Sequence, residues 1–496
     1  MASYIGIDLG TTFSAVATLD STGRPKIIEN KGKNITASCV MLESDQLEVG
    51  EKPESRFGHA GFDVGARFKR HMGEDQVFSL GKKSFSATDL SAAVLTEMKR
   101  VAEAEIGQIA EAVITIPANF MQEARDATML AAKKAGLNVK YIINEPTAAA
   151  LYYSYKEGSS LSGNYIVYDF GGGTFDVSVV KVTGSEVEVI ATEGVSKLGG
   201  DDFDKALRGI IKKKYQGLTG QECQDSALPL SEMAKMKVKL SEREKTPIMV
   251  EGEIIEITRS EFEKSISSLI MQAELLCETV LDEAGLKVSD IQSVFLAGGS
   301  TRVPAVLHSV RKVFNQEPVS SANVDEVVAL GAALYAAMKS SGEHLTTSQS
   351  ASVNKLKVSE IATYYFGTLS ISYNAARDNE EKTNSIIINK GEKIPCSRTK
   401  SFYTRIANQT VVNCSVTKSG SPETDPRFVN IVWEGAMDLP DGRPAEQEVR
   451  VTYSFDENGM MKCEFFDVES SRKTQIDLDS LTAEPEQTEI DKFLVD

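Results

Sequence analysis

Two short stretches of this chain end an apolar run on an aspartate and follow it at once with glycine and threonine. The first is IGIDLGTTFSAV, residues 5–16, and the second is YIVYDFGGGTFDVSVV, residues 165–180. In each, the apolar run predicts a buried strand, and the alternating run after the turn predicts its hairpin partner. Glycine allows the tight turn and leaves no Cβ between the backbone N–H groups and a bound anion. Gly10, Thr11 and Thr12 in the first copy, and Gly171, Gly172, Gly173 and Thr174 in the second, therefore suit phosphate oxygens. Asp8 and Asp169 stand where strand meets turn, where a carboxylate can hold water or a divalent cation beside phosphates. Two such hairpins far apart in sequence predict two related halves facing each other across a nucleotide. A third stretch, LAGGSTRVP, runs from residue 296 to 304. Its Gly298 and Gly299 let the backbone approach a flat base or ribose, Ser300 follows, and the Arg302 guanidinium suits stacking on adenine.

The elements around these residues alternate. From residue 4 to about 338, strand-like and helical runs follow one another in the pattern of an α/β domain. EAVITIP at 111–117 and residues 139–143 predict strands. Residues 122–135 predict a helix, with Gly136 placed to stop it. Glu145 and Pro146 open an alanine-rich helix, proline being suited to a first turn. Residues 290–297 predict a strand and 325–338 a helix with an almost wholly apolar face. Residues 340–352 are rich in serine and threonine, which bury too little apolar surface to order themselves, so 341–366 is expected to be a linker. Beyond it, short alternating runs such as EVRVTYSF and KCEFFDV, with the turn DENG at 456–459, predict a β-sandwich over 367–480. The last residues, 481–496, are acidic and predict a tail.

The whole composition excludes several functions. The chain has 496 residues, enough for more than one domain, and a net charge of −17, which repels nucleic acid and anionic membrane. The six cysteines form no CxxC pair and the four histidines are dispersed, so neither a zinc site nor a disulfide framework is expected. No run is long enough to span a membrane, and the first predicted strand leaves no room for a signal peptide. These features predict a cytoplasmic protein.

The three motifs resemble those of the ATPase superfamily shared by actin, sugar kinases and the seventy-kilodalton heat-shock chaperones. Further stretches resemble the chaperone branch: FKRHMG around Lys69, EAVITIPANF, IINEPTAAALYY, LGGDDFD at 198–204, DEVVALGAALYAA, and FYTRIANQ at 402–409. The resemblance covers nearly the whole chain. It implies an α/β two-lobed actin-like ATPase domain over 1–340, then an all-β sandwich that binds substrate, with no C-terminal helical lid. It implies hydrolysis of ATP to ADP and phosphate, with Mg2+ and also K+ as ions. The implied partners are unfolded or extended polypeptide, a J-domain co-chaperone and a nucleotide-exchange factor.

Residue by residue, Lys69 matches the catalytic lysine that positions the attacking water, and Glu145 the carboxylate that orients it. Asp8 and Asp169 match the carboxylates around hydrated magnesium, Thr174 the γ-phosphate contact, and Asp176 a potassium-site carboxylate. Lys237, Ser241 and Asp325 match the nucleoside side. Pro117 and Arg125 match a proline switch and an arginine relay. The chain also departs from the family. Leu356, Val358 and Ile361 are interleaved with charge where a strongly apolar linker is expected. Tyr141 and Val238 each replace an arginine, Asn119, Met121 and Gln122 differ around the relay, and Arg405 falls where an arch residue covers the peptide, while Val412 suits the central pocket. Two other readings stay open: a chaperone-like scaffold that holds ATP with little turnover, and a small-molecule kinase of the same superfamily.

Overall fold

The computed structural model describes residues 3–157, 161–184, 186–319, 323–340, 342–354, 356–374 and 379–477. The expected tail, 481–496, lies outside the described residues. The chain divides into two compact units between Val358 and Ser359.

The first unit contains two sheets built on one plan. In the first sheet, β1 (Ser3–Asp8), β2 (Phe13–Leu19) and β3 (Pro25–Ile28) form an antiparallel meander. Helix α1 (Ala87–Ile106) precedes β4 (Ile109–Ile116), which pairs parallel with β1. Helix α2 (Gln122–Lys134) leads to β5 (Val139–Asn144), parallel to β4, and β5 runs directly into α3 (Glu145–Glu157). The second sheet repeats the arrangement. Strands β6 (Ser162–Phe170), β7 (Phe175–Thr183) and β8 (Glu186–Val195) form the meander. Helices α4 (Gly200–Thr219), α5 (Leu230–Glu242) and α6 (Ser267–Ala284) follow, and β9 (Ile291–Ala297) then pairs parallel with β6. A parallel pair requires a crossover of a dozen residues or more, which is why each parallel strand comes after helices.

Each sheet is buried against helices over its own core, one around Ile5, Ile114 and Leu95, the other around Val177, Phe203 and Val294. The apolar helix α7 (Val327–Lys339) is buried over almost its whole length. It meets α3 at Gly331, where any Cβ would collide with the Ala148 carbonyl, and it lies against β1 at Ala332 and Ala333.

The expectation that the serine- and threonine-rich stretch cannot order itself is corrected. Residues Thr347–Val353 form a short helix, α8. Its Thr346 side chain and Gln349 form a capping box, and Gln349 Nε2 also donates to Leu19 O at 3.0 Å and Asp20 O at 3.1 Å. Docking of the amide and burial of Val353 supply what composition alone lacks. The apolar positions after it are also packed: Leu356 and Ile361 are buried.

The second unit holds two four-stranded antiparallel sheets. One has the order β11 (Asn379–Ile388), β10 (Tyr365–Asn374), β13 (Val411–Ser419), β14 (Asn430–Asp438). The other has the order β12 (Cys396–Tyr403), β15 (Glu448–Phe455), β16 (Met461–Asp467), β17 (Lys473–Asp477). Their inner faces share one core, with Val416 and Met437 from the first and Val449 and Phe465 from the second. Tyr453 ties them: its buried hydroxyl donates to Gly367 O at 2.9 Å and lies 3.0 Å from Ser415 O. The DENG turn closes β15 on β16 through Gly459 N, which donates to Asp456 O at 3.1 Å.

Among the described residues, no helix is long and apolar enough to cross a membrane. No disulfide joins any of the six cysteines.

Candidate active site

The two glycine–threonine turns close their hairpins at the same end and meet. A Cβ at Gly173 would sit 2.5 Å from Thr11 Cγ2, and one at Gly172 would strike the Thr12 hydroxyl. Only glycine allows that approach. Between the turns opens a cleft of about 750 Å³, within the range that small-molecule ligands occupy.

The phosphate-suited residues fall on its walls: Gly10, Thr11 and Thr12 from the first turn, Gly171, Gly172 and Thr174 from the second. Gly173 and Asp176 stand behind the wall rather than on it. The second turn is tightly held, with Gly171 N donating to Thr174 O at 3.0 Å and Ser300 Oγ donating to Gly171 O at 2.8 Å. Thr12 Oγ1 is buried without a hydrogen-bond partner among the described residues. A buried hydroxyl in that state suits an acceptor on a bound ligand.

Three carboxylates and one ammonium gather at the base of the cleft, with a fourth carboxylate, Asp176, behind them. Lys69 and Glu145 form a buried ion pair. Glu145 owes its place to β5 running straight into α3. Asp8, at the end of β1, accepts from Thr115 Oγ1 at 2.9 Å. Asp169 and Asp176 are partners across the β6–β7 hairpin. Like charges directly opposite on paired strands are destabilising, and here both are buried.

The titration of these groups follows from that crowding. Burial, with help from Glu145, pushes the Asp8 carboxyl up to about 7 against the pull of Lys69. Burial and then Glu145 and Asp176 raise Asp169 well above the usual carboxylate range. Burial also raises Asp176, although the Ala118 and Asn119 amides are near enough to favour its charge slightly without a well-formed hydrogen bond. Burial opposes the charge on Lys69, but Glu145 and Asp8 outweigh it and hold the ammonium above its ordinary pKa.

One ammonium cannot balance four carboxylates, so the residues fit a further cation. Among the described residues, no three His, Cys, Asp or Glu side chains form a metal cage. Mg2+ keeps several waters and takes one or two carboxylates plus phosphates.

The nucleoside-side residues line the same cleft. Lys237 and Ser241 lie one turn apart on α5. Lys237 Nζ is 2.9 Å from Asp204 Oδ1 and donates to Gly200 O at 2.9 Å. Val238 is 57% exposed on the same helix, an unpaired apolar wall where an arginine is expected. Gly298, Gly299, Ser300 and Arg302 line the opposite side with Asp325. Arg302 is drawn into an ion pair with Asp325 and a hydrogen bond with Asn323 Oδ1, so its guanidinium plane is fixed from one edge. Arg125 bridges the loop after Pro117 and the residue before Glu145, donating to Phe120 O at 3.3 Å and Asn144 Oδ1 at 3.2 Å.

Two residues of the site go unmarked in the sequence reading, Arg67 and Arg70. They pair with Asp201 and Asp202 at the start of α4. The signal was present as a basic run, ARFKRH, and an acidic pair after two glycines, but nothing in the sequence joins residues 132 and 134 positions apart.

The comparison with protein families settles the wider question. A family model described as Hsp70 protein matches residues 4–80 and 75–496. The chain belongs to the Hsp70 family. Hsp70 proteins are chaperones and ATPases that bind ATP or ADP with Mg2+, and they generally work with unfolded polypeptides, J-domain partners and exchange factors. In this Hsp70 chain the second unit carries exposed Tyr403, Ile406 and Val411 around Arg405, which pairs with Glu380. Val412 is half-buried on the shared core.

Proposed function

We propose that this Hsp70 chain hydrolyses ATP between the two halves of its first unit, an actin-like two-lobed domain, and that its second unit, a β-sandwich, binds extended apolar peptide under control of that hydrolysis. One observation carries the reading: the buried Lys69–Glu145 pair sits among Asp8 and Asp169 where two glycine–threonine turns converge. Phosphoryl transfer to water depends mainly on positioning and on stabilising charge. Lys69 faces charge developing on the γ-phosphoryl oxygens. Glu145 orients both Lys69 and the attacking water. The turn amides, Thr12 and Thr174 hold the phosphate chain. A hydrated Mg2+ beside Asp8 and Asp169 would supply charge neutralisation on the phosphates, and Asp176 suits K+ behind them.

ATP can bias the peptide unit only through differential affinity for its states. An extended segment would lie along the exposed Tyr403, Ile406 and Val411. A cytoplasmic setting agrees with six cysteines outside any disulfide. A second reading is a scaffold that binds ATP with little turnover, which the charge interleaved with Leu356, Val358 and Ile361 in the linker favours.

The only tryptophan, Trp433, lies in the second unit, half-buried and 6.1 Å from Phe465 between ring centres. Its fluorescence on adding ATP, beside single-turnover hydrolysis, tests the proposal. We expect an ATP-specific change that reverses as ATP is consumed, and a fall of at least about a hundredfold in rate for Lys69→Ala with the change then persisting. Tight ATP binding with no turnover in wild type would leave the scaffold.

A further inference from the structure

Lys69 lies on a single 3-10 turn, Phe68–His71. The turn starts from Arg67, whose φ of 63° is in the left-handed region. Residues other than glycine rarely adopt it, and one that does is kept there by its surroundings. For Arg67 these are Asp201 Oδ1, 2.6 Å from Nε, and the ring of Phe57, 5.1 Å from the guanidinium carbon. Three residues on, Arg70 Nη2 donates to Asp202 Oδ2 at 2.9 Å and Nε donates to Ser196 O at 3.2 Å. Both pairs are largely shielded from solvent, with side-chain exposures of 17% and 5%, and of 8% and 17%. Salt therefore screens them little, and their charge-assisted hydrogen bonds fix orientation.

The arginines belong to the first half of the unit and the aspartates open α4 in the second. The grip continues past the aspartates. Gly200 N donates to Gly171 O at 3.1 Å, and Asp201 N to Gly172 O at 2.8 Å. The Lys69 turn, the start of α4 and the second phosphate turn are thus one hydrogen-bonded chain across the cleft. Glu145, the direct partner of Lys69, follows β5 of the first half. The Lys69–Glu145 ion pair therefore lies within the first half, whereas the two arginines form direct ion pairs with the second.

We propose that Arg67 and Arg70 are positioning residues, a two-armed clasp on consecutive aspartates that transmits closure of the halves to the ammonium of Lys69. The proposal rests on Lys69 acting in hydrolysis. With the halves apart, the turn loses both anchors and Lys69 loses its setting against the phosphate site. With them closed, the lysine and the second phosphate turn move as one body.

The test compares wild type, Arg67→Asn/Arg70→Gln and Arg67→Lys/Arg70→Lys. Asparagine tolerates the left-handed backbone, so the first variant removes the guanidinium groups and leaves the turn possible. Lysine keeps each charge. Single-turnover hydrolysis at saturating ATP is measured together with nucleotide Kd and with hydrogen exchange at the Arg70 and Met72 amides. We expect Asn/Gln to slow hydrolysis at least tenfold, by more than it changes Kd, and to speed exchange at those two amides at least tenfold with ATP bound. Lys/Lys should restore both within a few-fold. An unchanged rate with only a lower melting temperature, or an equal loss in Lys/Lys, would overturn the proposal. Should wild type bind ATP and not hydrolyse it, the catalytic reading fails by itself. Exchange then decides the clasp: ATP must slow those amides in wild type and not in Asn/Gln, and equal exchange in both removes it. If the double variant does not fold, Arg70→Gln alone carries the same comparison.

Discussion

At the scale of single residues, the cleft stores electrostatic repulsion. Asp8, Glu145, Asp169 and Asp176 surround one ammonium, and burial raises Asp8 to about 7. A carboxyl whose pKa is higher in the folded than the unfolded chain favours folding while it is protonated. The sign is therefore the reverse of a salt-bridged aspartate. The contribution is full below the ordinary carboxylate range and is lost as pH rises through about 7. A shift of this size corresponds to a loss of up to about 4 kcal/mol, an upper limit because Asp8 is only half-buried and faces the cleft. We expect nucleotide-free protein to lose stability between pH 5 and pH 8, and Asp8→Asn, which keeps the shape and the Thr115 contact, to flatten that slope. Urea unfolding midpoints at several pH values measure it. A variant with the wild-type slope would remove Asp8 as the source. The same repulsion explains why a polyphosphate would need a cation beside it here: the cation offsets the negative charge of the carboxylates and of the phosphates.

At the scale of elements, the site is held by close backbone approach. Helix α7 reaches α3 only because residue 331 has no side chain, the Ala148 carbonyl filling the place of its Cβ. Gly331→Ala forces the helices apart, and overpacking of this kind costs about 1–3 kcal/mol. We expect a destabilisation of about 2 kcal/mol in urea, with a larger effect for Val. An Ala variant as stable as wild type would mean the helices give way freely. This contact marks where sequence reading stops. The hairpins, their aspartates and the strand-to-helix junction at Asn144 and Glu145 were readable because local periodicity and glycine placement dictate them. The run at 340–352 misled because its composition is that of a linker, although Thr346 and Gln349 spell a capping box that needed only a surface, Leu19 and Asp20, to dock on. Arg67 and Arg70 were unreadable for a different reason. Their meaning lies in two aspartates of the other half, and long-range pairing leaves no period in the sequence.

At the scale of the whole molecule, the two units differ in what holds them and in what reports on them. The first has separate cores around its two sheets and contains the cleft; the second has its own core and the only tryptophan. A ligand that binds only folded protein stabilises by mass action, about 2.7 kcal/mol at a hundred times its Kd. Spread over a unit of this size, that is several degrees in melting temperature. We therefore expect two thermal transitions. One is seen by circular dichroism of the helices, which the first unit contains almost exclusively among the described residues, and it rises with Mg·ATP. The other is seen by Trp433 and moves less. The size of the Trp433 shift is itself informative. A ligand bound in one unit can stabilise the other only by the free energy that couples them, so that shift measures how much of the ATP-binding energy reaches the second unit. One transition common to both probes would show instead that the units unfold together and that the cleft and the β-unit form a single cooperative body.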